Sequence, residues 1–175
     1  CSEVGGRRTL AKAATRRAEA SVARARGPLT DPGMRDFVEQ LDYIKAVADR
    51  APGFVWRFQT EAGGAADVRV FGEPRYVFNM SVWESVAALH DYAFRSDHRG
   101  PLRDRKKWFE KMDRPHSAMW WTPVGVMPTV SDAEQRLDHL RDHGPTPTAF
   151  TFGHLFGPDG RPMERTPRLD RECGV

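Results

Sequence analysis

Asn79, Ser81 and Trp83 occupy alternate positions of a stretch, Arg75 to Trp83, in which Tyr76, Phe78, Met80 and Val82 alternate with Val77, Asn79, Ser81 and Trp83. That period of two places an amide, a hydroxyl and an indole on one face of a strand. Arg57 belongs to a second alternating run, Phe54 to Gln59, and can share the same sheet surface. Hydrogen-bonding groups set among aromatic rings suit a pocket for an oxygenated aromatic molecule, the rings holding the carbon skeleton and the amide or guanidinium fixing an oxygen. The same donors would stabilise an oxyanion formed during proton abstraction or oxygenation. A satisfied polar network in a subunit interface would use the same residues.

Three histidines add titratable chemistry. His98 is the first candidate acid, base or oxygen positioner, because imidazole is the side chain whose unperturbed pKa lies nearest neutrality. It falls on one helical stripe with His90 and Phe94, spaced by four residues, up to the break at Gly100-Pro101. A histidine ending a helix and meeting its last carbonyls would look the same. His90, between Val86 and Phe94, reads as a partly buried structural residue. His116 stands at a strand entrance, where it can point into the cavity with Asn79 or simply be a polar entry residue. No metal-binding His or Cys spacing is present. A haem needs only one axial histidine, so His90, His98 and His116 each stay open as a ligand.

The elements that must position these groups follow from periodicity. A short strand is expected around Glu19 to Arg26, on weak grounds because alanine is a poor strand former. Asp31-Pro32 starts a helix in which Phe37, Val38, Leu41, Ile44, Val47 and Ala48 recur at three- and four-residue spacing. Phe54 to Gln59 and Arg75 to Trp83 are strands, with a short strand between them at Val68 to Phe71. Glu84 to Asp97 and Leu102 to Met112 are helical. Ser117 to Thr122 is apolar on both faces and predicts a strand buried on both sides. Ser131-Asp-Ala-Glu134 has the form of a capping box opening a helix to His143. The order is βαββαβ with an extra C-terminal helix, a ferredoxin-like α+β fold with an antiparallel sheet. Helices on one face leave the other open, with Trp56 or Trp83 and Trp120 or Trp121 on it, and an apolar face of that kind predicts a homodimer pairing sheet on sheet.

Charged residues at 29% and hydrophobic ones at 39% describe a globular chain, and no apolar run reaches the ~18 residues of a membrane span. Residues 1–17 read as a basic flexible tail, 18–152 as the folded domain and 153–175 as a disordered tail rich in Gly, Pro and Arg. The N-terminal stretch has no apolar region of a secretory signal, and the two cysteines, Cys1 and Cys173, suit neither a disulfide framework nor a metal site, so a cytoplasmic location is expected. The net charge of +3 is concentrated in the first 27 residues, with seven Arg/Lys against two Glu. A basic tail without a basic face argues against a nucleic-acid reader. The seven Lys/Arg of Arg99 to Arg114 alternate with acids as on a solvated helix.

Gly27-Pro-Leu-Thr-Asp-Pro32, Pro52-Gly-Phe-Val-Trp-Arg57, Phe78-Asn-Met-Ser-Val-Trp-Glu-Ser85, Ala88-Leu89, Arg95-Ser-Asp-His98, Trp108-Phe109 and Trp120-Trp-Thr-Pro123 together resemble an uncharacterised branch, labelled a domain of unknown function, of the antibiotic biosynthesis monooxygenase-like, dimeric α+β barrel superfamily. The resemblance spans about three-quarters of the chain. It implies a dimeric α+β barrel with a cavity between sheet and helices, and His98 matches the superfamily's histidine at the end of this helix. It implies no single chemistry, since the superfamily includes cofactor-free monooxygenases and haem proteins. The leading expectation is a small-molecule enzyme of monooxygenase-like type without a bound cofactor. His98, Asn79 and Arg57 would be catalytic, with Trp83, Ser81, His116, Trp120 and Trp56 around the substrate. A haem-binding member and a non-catalytic dimer binding a metabolite or a partner are the alternatives.

Overall fold

A computed structural model of the chain describes residues 14–60, 68–95 and 99–164. The elements run β1 (Thr15–Arg24), α1 (Arg35–Asp49), β2 (Phe54–Arg57), β3 (Tyr76–Trp83), α2 (Val86–Arg95), α3 (Arg99–Trp108), β4 (Ser117–Pro123), α4 (Val130–His143) and a two-residue hairpin of β5 (Leu155–Phe156) and β6 (Pro162–Met163). The four long strands form an antiparallel sheet in the order β2-β3-β1-β4. That order is ferredoxin-like, and it puts β1 at the centre, flanked by β3 and β4.

Residues opposite one another in an antiparallel sheet share a face. The register Arg17 with Trp83 and Trp121, Glu19 with Ser81 and Met119, and Ser21 with Asn79 and Ser117 therefore defines one face. Ala18 with Val82 and Trp120, and Ala20 with Met80 and Ala118, define the other. Helices α1, α2 and α3 cover the first face through two separate apolar clusters. Val86 and Leu89 of α2 pack on Trp83, Met119 and Phe150. Phe37 of α1 and Trp108 of α3 pack with Phe109, Ala23 and Val77 near the other end of β1.

The second face corrects the expectation of an open apolar sheet surface. Ala133, Leu137 and Leu140 of α4 close over Ala18, Ala20, Val22, Met80, Val82 and Trp120, all of them buried. The surface expected to lie open is covered by this chain's own helix. Helix α4 starts two residues earlier than the Ser131 reading: Thr129 is the N-cap, its side chain accepting from the Asp132 N–H while Asp132 accepts from the Thr129 N–H. Its Glu134 also accepts the Phe71 N–H at 2.6 Å, which ties α4 to the turn Val70–Gly72. That turn is 3-10 helical, where the sequence suggested a strand at Val68 to Phe71. Its Phe71 sits in the left-handed region at φ 56°, a geometry that cannot continue a strand.

Both domain edges also shift. Strand β1 begins at Thr15, so Arg16 and Arg17 lie in the sheet rather than in a basic tail, and Arg17 is wholly buried. Beyond Phe152, Leu155 is buried against Phe150 and its neighbours, and the β5–β6 hairpin stands in the segment read as disordered.

Candidate functional site

Between the two apolar clusters on the helix-covered face, the floor of the sheet turns polar. Strand β1 places Glu19 there, 8% exposed, because every second residue of a strand faces the same way. Ser117 Oγ of β4 donates to Glu19 Oε1 at 3.0 Å, and Asn79 Nδ2 of β3 reaches Glu19 Oε2 at 3.4 Å. The Ser21 hydroxyl, two residues along on the same face, is a third hydrogen-bond partner. Asn79 is exposed, so the cluster opens to solvent at that point.

Burial dominates the electrostatics. Taking the carboxylate out of water pushes the Glu19 pKa up to about 7, against the opposing pull of the hydroxyls of Ser117 and Ser21. The group is thereby poised to take or give a proton near neutral pH. Tyr92 of α2 stacks on Trp83 with ring centroids 4.9 Å apart. Its phenol is raised well above the usual range, by burial first and then by the Glu19 charge. Trp83 donates its Nε1–H to Ser81 Oγ at 2.9 Å, so the indole edge and the hydroxyl satisfy each other. At the rim, Arg57 of β2 makes a two-pronged pair with Asp49, the last residue of α1, at 2.8 and 3.2 Å.

The sequence-derived candidates divide by sheet face. Asn79, Ser81, Trp83 and Arg57 lie together on the helix-covered side, Arg57 directly opposite Ser81. Trp56 and Trp120 do not join them. Trp56 pairs with Val82 and Trp120 with Ala18, so both pack under α4 on the far face, a consequence of the period of two and of a register shift between Phe54 and Trp56. His116 is also displaced: Ser117 takes the position opposite Ser21 that faces Glu19. The His116 pKa is lowered by burial and then by the Arg105 charge. His98 lies outside the described residues. His90 is buried at 1% exposure, its ring 4.8 Å from Phe94 and 5.6 Å from Phe152.

Sequence reasoning passed over Arg17, Glu19, Ser117 and Tyr92. The signal for the first two was the alternation Arg17-Ala-Glu-Ala-Ser-Val22, polar on one side and small apolar on the other. A groove of about 400 Å³ also opens between α2 and the β5–β6 hairpin, lined by His90, Trp121 and Leu155 together with Glu84, Asp91 and Glu164. Among the described residues, no group of three or more His, Cys, Asp or Glu could hold a metal ion, and no helix is long and apolar enough to cross a membrane.

Several solved structures align with part of this chain at low identity. A protein of unknown function from Nitrosomonas europaea aligns with a TM-score of 0.42 at 10% identity, covering 66% of this chain and 95% of its own. A protein from Pseudomonas aeruginosa gives 0.41 at 13%, covering 64% and 96%. A candidate antibiotic biosynthesis monooxygenase from Chloroflexus aurantiacus gives 0.36 at 16%, covering 66% and 98%. No curated protein matches the chain. Residues 16–166, from the start of the central strand to just past the β5–β6 hairpin, match the family described as a domain of unknown function (DUF3291), and the chain belongs to that family.

Proposed function

We propose that the protein is a small-molecule enzyme of monooxygenase-like type, acting on an oxygenated aromatic metabolite bound between the sheet and helices α1 and α2. The observation that supports this is Glu19: a buried carboxyl, hydrogen-bonded by Ser117, Asn79 and Ser21, beside the stacked rings of Trp83 and Tyr92 and open to solvent at Asn79. On this reading Glu19 serves as the acid/base in the sheet floor, beside the role expected of His98. Asn79 and the Ser117 hydroxyl are placed to hold a substrate oxygen once Glu19 is protonated, and Arg57, fixed by Asp49, sets the charge at the rim.

A phenol-type substrate would supply its own electrons. Glu19 takes the phenolic proton and the ring reacts with O2; one oxygen atom becomes a ring carbonyl of the quinone and the other leaves as water, the four electrons coming from the substrate. General acid–base catalysis of this kind contributes about 10²–10⁴-fold. The test is oxygen uptake and product mass for a panel of phenols and naphthols, with wild type and Glu19→Gln. The expected result is quinone formation by wild type and a loss of about 100-fold or more in kcat for the variant. Equal rates in both, or no consumption of any phenol by wild type, would overturn the assignment.

A further inference from the structure

Arg17 has no role in the chemistry above, yet it is an unusual side chain. It is 0% exposed, and none of its three guanidinium nitrogens has a hydrogen-bond partner among the described residues. Its guanidinium carbon lies 3.7 Å from the centroid of the Trp121 ring and 4.5 Å from that of Phe150. Glu19, two residues along on the same face, is engaged by Ser117 and Asn79 instead. Aromatic faces attract a cation but accept its N–H groups only weakly, so the donors lack strong acceptors. A buried cation in that state is a large expense to the fold unless something with acceptor oxygens meets it.

Trp121 stands between this cage and the outside. Its ring is stacked on Arg17, it lines the groove between α2 and the β5–β6 hairpin, and it is held there by its Nε1–H donating to the Phe156 carbonyl at 2.9 Å. The groove carries Glu84, Asp91 and Glu164. Those carboxylates oppose a doubly charged phosphate, which a lone guanidinium would not neutralise. A singly charged planar anion matches the flat fork of Arg17 and the rings around it.

We propose that Arg17 anchors the carboxylate of an aromatic acid as a two-pronged pair, the ligand entering by the groove beside Trp121. This names the substrate class of the enzyme proposed above, and its link to turnover rests on that reading; the binding site stands without it.

The test is calorimetric titration of the full chain with salicylate and with its uncharged counterpart salicylamide. Wild type is expected to bind salicylate about 100-fold more tightly than salicylamide, as loss of one partner from a buried charge pair implies. Arg17→Met should weaken salicylate binding by a similar factor, while its ligand-free melting temperature does not fall below that of wild type, because an unanswered charge has been removed. Arg17→Lys keeps the charge without the fork and should bind at an intermediate level. Equal affinity for the two compounds, no binding of salicylate by wild type, or unchanged salicylate binding in Arg17→Met would overturn the assignment. The first two outcomes need no variant and are independent of whether Arg17→Met folds. Phenol turnover in Glu19→Gln tests the enzyme reading, whereas selectivity for a carboxylate in wild type tests Arg17, so either can fail alone.

Discussion

Replacing Glu19 by Gln should make the protein more stable at alkaline pH and leave it nearly unchanged at acid pH. The folded state raises the Glu19 pKa from 4.5 to about 7, with burial the chief cause. Below pH 4.5 the carboxyl is protonated in both folded and unfolded chains and contributes no pH dependence. Between pH 4.5 and 7 the unfolded chain ionises first, so stability falls as pH rises, and above 7 the penalty is complete. At 1.36 kcal/mol per pKa unit the full penalty is about 3 kcal/mol. Glutamine cannot ionise and avoids it. Urea denaturation of both proteins at pH 4.5, 6 and 8 measures the difference, and subtracting one from the other removes all groups that titrate alike. The gap should widen by about 3 kcal/mol from the lowest pH to the highest, or roughly 6–12 °C in melting temperature for a chain of this size. A gap that stays constant with pH would refute the claim that this carboxyl is buried and displaced towards neutrality.

Ser117→Ala removes a donor that favours the carboxylate, so the Glu19 midpoint should rise further; carbon-detected NMR titration of the glutamate carboxyls would show an unchanged midpoint if the bond is absent. Leu137→Ala, at the buried contact of α4 with the sheet, should cost about 2–5 kcal/mol in urea unfolding, and a loss below 1 kcal/mol would mean that α4 is not seated on that face.

The fold was legible where periodicity was strong. Tyr76 to Trp83 alternates cleanly, and the helix over Arg35–Asp49 shows its apolar stripe. The strand order could be anticipated from the order of elements, because a βαββαβ chain has few ways to close an antiparallel sheet. Of the site, Asn79, Ser81, Trp83 and Arg57 were accessible through the same alternation. Trp56 and Trp120 were assigned to the wrong face because a run that is apolar on both sides gives no signal for direction, and a bulge in β2 breaks the count. Arg17 and Glu19 were missed for a different reason. Their strand contains alanines, which propensity discounts, and an arginine in a basic run looks like part of a tail. Only pairing with β3 and β4 turns that segment into the centre of a sheet. Helix α4 was recognised, but no local pattern says which surface it covers, and on that the expectation of an open sheet face did not hold.

The central place of β1 has a further consequence, for the order in which the molecule can be built. Its two neighbours arrive late: Asn79 lies 60 positions after Glu19, and Ser117 lies 98 positions after it. During synthesis at roughly 5–20 residues per second, β1 waits about 3–12 s with both hydrogen-bonding edges unpaired, and about 5–20 s before the second edge is covered. An apolar strand in that state would be a template for pairing with other chains. The charges of Arg16, Arg17 and Glu19 on the waiting segment oppose such pairing. The two residues that furnish the interior with its buried cation and its titratable acid therefore also protect the nascent chain from aggregation until β4 has emerged.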